Sequence, residues 1–123
     1  TLSTLGDNKV MIDSASDKIL FSLIYAENKV MSYITCIGQF VPQLAMKYWN
    51  SLIKEELNEA RQIATEIVLP IENEQRRVGY LPFIKYAMEL KGLAGGNLRA
   101  PGLILSNIQK KHIKRLLLKL GLI

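Results

Sequence analysis

At 123 residues the chain has about one domain's worth of sequence, and with 49% apolar and 22% charged residues it has the composition of a packed protein, not a disordered one. It contains no run of about 18 apolar residues to span a bilayer. The start TLSTLGDNKV has neither the basic nor the apolar region of a secretory signal. The net charge of +5 is localised: Lys110, Lys111, Lys114, Arg115 and Lys119 fall within 106–123 with no acid among them, and the remaining 11 basic residues are matched by 11 acidic ones. A neutral body argues against a broad nucleic-acid footprint.

In chain order, Val10, Met11 and Ile12, bounded by Asp13 and two serines, predict a short buried strand at 10–12. Ser14 or Ser16 is placed to cap the next element, where Ile19, Leu20, Leu23 and Ile24 recur at helical spacing over 18–28. VMSYITCIG, 30–38, is rich in β-favouring residues and predicts a second buried strand, with Cys36 packed in its middle. Strand, helix and strand form a right-handed βαβ unit. From Pro42, which suits a first helical turn, the period becomes helical through Leu44, Tyr48 and Leu52. A further helix carries Leu57, Ala60, Ala64, Ile67 and Val68, and Pro70 should kink or split it. Gly79 breaks the chain. A helix follows over 82–93 with Gly92 at its C-terminal end, and Met88, like Trp49 before it, reads as helix packing. The last helix opens on the capping-box pair Ser106 and Gln109, buries Ile113, Leu116, Leu117 and Leu120, and ends at Gly121.

Two apolar parallel strands cannot make a sheet unaided, because each would keep an unpaired edge and parallel sheets are covered on both faces. The lack of an initiator Met points the same way, to a processed chain or a piece of something longer. The six landmarks IDSASDK, SYITCIGQFVPQ, ELNEARQIATEIVLPIENE, FIKYAMELKGL, GGNLRAP and KRLLLKLGLI supply a context. In that order the sequence resembles the C-terminal portion of the dihydrodipicolinate synthase / N-acetylneuraminate lyase superfamily. The join VGYLPFIKYAM is closer to its 5-dehydro-4-deoxyglucarate dehydratase branch. The resemblance implies an α/β fold: strands seven and eight of a (β/α)8 TIM barrel plus a C-terminal helical layer, mostly helical by residue count. Residues 1–56 would be the last two βα units, and 57–123 the helical region of the same domain. It also implies that Leu98–Pro101 runs extended along the barrel flank. The plainer reading of Arg99 is a surface arginine at a bend.

The same resemblance implies a class I mechanism, in which a strand-six lysine forms a Schiff base with a 2-oxo acid, of pyruvate or sugar-acid type, and a strand-five tyrosine relays protons. Such a lysine needs a desolvated or cationic setting to lose its proton. Neither strand lies in this chain, so no catalytic residue is expected in it. What it would supply is one wall of the pocket, at the C-terminal strand ends: Ser14, Ser16, Ile34, Thr35 and Gln39. Thr35 reads equally as a packed β-former. Ser14, Ala15 and Ser16 replace the family's glycine and acidic pair, and Gln39 replaces its asparagine, so an altered pocket is expected.

Other chemistry is weakly signalled. The only histidine, His112, lies on the basic helix face. No His/Cys/Asp cluster has metal-ligand spacing, and no metal or cofactor is expected. Glu55, Glu56, Glu59, Glu72 and Glu74 read as solvated helix faces. With Cys36 the only cysteine, an internal disulfide framework is excluded and a reducing, cytoplasmic setting fits. The expected partners are the 2-oxo acid, the rest of the barrel and further copies in a homo-oligomer, with neither nucleic acid nor membrane. The alternative is a free-standing helical interaction module whose basic amphipathic last helix binds nucleic acid, a membrane surface or a protein.

Overall fold

The computed structural model describes residues 12–13 and 32–123. Two short strands, β1 (Ile12–Asp13) and β2 (Ser32–Tyr33), pair in parallel, Ile12 opposite Ser32 and Asp13 opposite Tyr33. A 3₁₀ turn follows at Ile37–Gln39. The helices are α1 (Pro42–Ile53), α2 (Leu57–Ile63), α3 (Leu69–Val78), α4 (Tyr80–Leu90) and α5 (Asn107–Lys119), with a π turn at Ala64–Val68 joining α2 to α3.

The expectation of an α/β TIM-barrel segment is corrected here. Among the described residues the chain is a helical fragment, and four strand residues do not make two staves of a barrel. The predicted strand over 30–38 stops at Tyr33. Beyond it, Thr35 Oγ1 accepts the Ile37 N–H at 3.3 Å. The N–H groups of Gln39, Phe40 and Val41 fold back onto the carbonyls of Cys36 and Ile37. Local partners thus satisfy backbone groups that a strand could satisfy only with neighbours on both sides. Cys36 is therefore not mid-strand but half-buried at the head of the 3₁₀ turn. The predicted helix over 18–28 and residues 10–11 of the first strand lie outside the described residues.

The helical predictions fare better because their signals are local. Pro42 opens α1. Gly79, at φ +95, separates α3 from α4. Pro70 has no N–H, and its ring would crowd the carbonyl four residues back. The chain answers with the wider π turn just before it, so the helix is loosened there and not broken. Helix α4 begins two residues earlier than predicted and ends in a Schellman turn: Gly92 N–H donates to Glu89 O at 2.9 Å, and Leu93 N–H to Met88 O at 2.9 Å. Gly121 and Leu122 end α5 in the same way, and Ser106 and Gln109 form the full capping box at its start.

One core unites these elements. Tyr48, Ala60, Ala64, Ile71, Phe83, Ala87, Ile113 and Leu117 are completely buried in it, with Trp49 and Met88 packed on its margin. It draws residues from both sides of position 56, Tyr48 and Leu52 before it and Ala60 and Ile63 after it. Helices α4 and α5 run parallel. Lys110, early in α5, stands 5.4 Å from the Tyr86 ring, and Lys91, just past α4, donates to Leu122 O at 2.9 Å. A parallel pair needs a return connection as long as the first helix, about 16 Å for 11 residues. Residues 93–106 supply it. Gly95 passes over the backbone of Lys85, and Leu103 reaches Gly79. The segment Leu98–Pro101 thus retraces α4. Arg99 is exposed.

Candidate functional site

Strands β1 and β2 run in the same direction, so the chain leaves both at one end. At the exit of β2 come the three predicted site residues that can be placed. Ile34 is 55% exposed, Thr35 half-buried, and Gln39 exposed at the end of the 3₁₀ turn. Ser14 and Ser16 lie outside the described residues. The segment is fixed from behind by Ile37, Phe40 and Val41, all buried in the core. The Phe40 ring meets Phe83 of α4 edge-on, with centroids 6.2 Å apart and planes at 66°. An apolar anchor therefore presents a short polar rim.

The rim has specific chemistry. The Thr35 oxygen accepts from Ile37 N–H, a role that uses no hydroxyl proton, so the group can also donate. Gln39 brings an exposed amide able to donate and accept. Between Ile34 and Val41 there is no amine, imidazole or carboxylate, so this stretch offers hydrogen bonding and position. Among the described residues no lysine is buried, and no three His, Cys, Asp or Glu residues converge as metal ligands. Several lysines are engaged: Lys47 with Glu59 at 3.0 Å, Lys85 with Gly95 O at 2.5 Å, and Lys91 with Leu122 O.

Periodicity hid one polar cluster. Glu72, predicted on a solvated face, is only 4% exposed, with Arg76 Nη2 4.0 Å from its Oε2. Gln75 is 5% exposed, and its Nε2, like the Tyr80 hydroxyl, is enclosed with no hydrogen-bond partner among the described residues. These residues border a recess of about 250 Å3 beside Gly79. The break at Gly79 was legible, but not the tertiary contacts that turn Glu72 and Gln75 inward. His112 is exposed on α5, as its sequence context suggested.

No family model matches the chain. Its fold places it in a class: 91% of the chain superposes on 37% of dihydrodipicolinate synthase from Oceanobacillus iheyensis, with a TM-score of 0.78 at 21% identity. Curated relatives add sequence. A protein of Saccharopolyspora erythraea named probable 5-dehydro-4-deoxyglucarate dehydratase is 28% identical over 99 residues, 79% of this chain and 32% of that protein. One of the same name from Oceanobacillus iheyensis is 31% identical over 89 residues, 69% of this chain and 28% of that protein. The chain belongs to the dihydrodipicolinate synthase / N-acetylneuraminate lyase superfamily. It spans about a third of the length of the curated relatives it matches.

Proposed function

We propose that this chain is part of a Schiff-base lyase acting on a 2-oxo acid, of the dehydratase type, and that it contributes substrate-positioning groups while the amine nucleophile lies elsewhere in the protein. The observation that carries this reading is the name shared by its relatives, 5-dehydro-4-deoxyglucarate dehydratase, across most of the chain's length. In such a reaction a lysine amine attacks the 2-oxo carbon and water leaves to give the imine. The reading assigns the residues after β1 and β2 to one wall of the substrate pocket: Ser14, Ser16, Ile34, Thr35 and Gln39. Thr35, held by Ile37 N–H, donates its hydroxyl proton to the substrate carboxylate. The working protein is a homo-oligomer of the cytoplasm.

Borohydride reduction in the presence of pyruvate, read by intact mass, tests the division of labour. The full-length protein is expected to gain the reduced adduct, and the 123-residue chain is not. An adduct on the short chain, or none on the full-length protein, would defeat the reading. Thr35→Val in the full-length enzyme should raise KM about tenfold, the worth of one hydrogen bond to a charged group, with kcat little changed. Steady-state kinetics across substrate concentrations would expose the opposite pattern.

A further inference from the structure

The chain's surplus positive charge lies on α5, and the proposed chemistry makes no use of it. Part of that charge faces α3 across a cleft of about 410 Å3, within the size range of small-ligand sites. Pro70 and Leu116 supply its apolar lining. From α5 come His112, Arg115 and Lys119, at spacings of three and four residues that place them on one helix face. That face is held in place by Ile113 and Leu117, both fully buried. From α3 comes Arg77, whose Nε donates to Glu74 Oε2 at 2.9 Å and whose Nη2 donates to Glu74 Oε1. This carboxylate fixes the guanidinium and raises its pKa further. Among the described residues His112, Arg115 and Lys119 form no ion pair, and Glu74 is the only acid lining the cleft.

We propose that the cleft between α3 and α5 binds a small phosphate-bearing ligand, with Arg115 and Lys119 on one wall and Arg77 on the other gripping a di- or polyphosphate group. Two walls of donors favour a tetrahedral phosphate, whose oxygens point in several directions. A carboxylate presents its two oxygens in one plane, which a single arginine fork can satisfy. The apolar lining suits the body of an organic ligand, and the volume is that of a small-molecule site.

Inorganic pyrophosphate serves as the probe, titrated calorimetrically into the protein at low ionic strength, with citrate as a comparator of similar charge. Arg115→Gln with Lys119→Gln should weaken pyrophosphate binding at least about tenfold. Lys111→Gln with Lys114→Gln removes the same charge from α5 outside the cleft and should leave binding within about twofold. All four side chains are exposed, and circular dichroism would verify that both variants stay folded. Equal weakening by the two pairs would reduce the effect to diffuse attraction and overturn the site. Citrate binding as tightly as pyrophosphate would overturn the phosphate assignment, and no binding at millimolar pyrophosphate would overturn both.

Discussion

Phe83→Ala is expected to destabilise the fold by about 3–5 kcal/mol, the usual cost of emptying a buried aromatic position. Phe83 is completely buried, and its ring takes the edge of Phe40, one residue beyond Gln39. The loss is therefore more than a cavity at α4: the 3₁₀ turn that presents Thr35 and Gln39 loses its anchor. Urea unfolding followed by circular dichroism measures the first effect. Amide exchange at 37–41 measures the second and should quicken more than exchange in α5. Phe83→Leu fills much of the volume and should recover more than half of the lost stability. If Phe83→Ala and the wild type unfold at the same urea concentration, the core as described is wrong.

Gly95→Ala is expected to cost about 1–3 kcal/mol by overpacking. A Cβ there would collide with the backbone carbonyl of Lys85 and press within 2.9 Å of Glu89 Cγ. Two hydrogen bonds hold the crossing: Lys85 Nζ donates to Gly95 O, and Gly96 N–H donates to Glu89 Oε1 at 2.9 Å. Relief requires the return segment to lift off α4. Gly38→Ala is the control, since a Cβ there meets Ala45 and Thr35 only at 3.7 and 3.8 Å, ordinary contacts, and should fall within about 0.5 kcal/mol of wild type. Thermal unfolding of the two variants side by side distinguishes a steric glycine from an incidental one.

The features readable from sequence are those whose partners lie within one helical turn. Ser106 with Gln109, Pro42 at a first turn, Gly79 between helices, and Gly92 and Gly121 past helix ends all act on backbone groups a few residues away. What sequence could not supply depends on distant partners. Residues 30–38 have the composition of a strand, yet strand length is set by neighbouring strands, and Thr35 diverts the chain after Tyr33. Glu72 and Gln75 look solvated until the fold closes over them. Pro70 announced a disturbance, but widening in place of a kink depends on how the following helix packs. The resemblance proposed a site after β1 and β2, but the form of the segment that carries Thr35 and Gln39 was not legible. Nothing in ITCIGQ says that Thr35 and Gln39 sit on a tight turn braced by two phenylalanines.

The shared direction of α4 and α5 has an electrostatic consequence. Antiparallel neighbours cancel each other's dipoles, whereas these two bring their negative ends to the same edge, near Lys91 and Leu122. That edge would repel itself without a cation, and the Lys91 ammonium bonded to Leu122 O sits where both half-charges converge, with Lys119 in the final turn. Lys91 thus serves as an internal counterion, fastening Leu122 by a bond that concentrated salt would weaken.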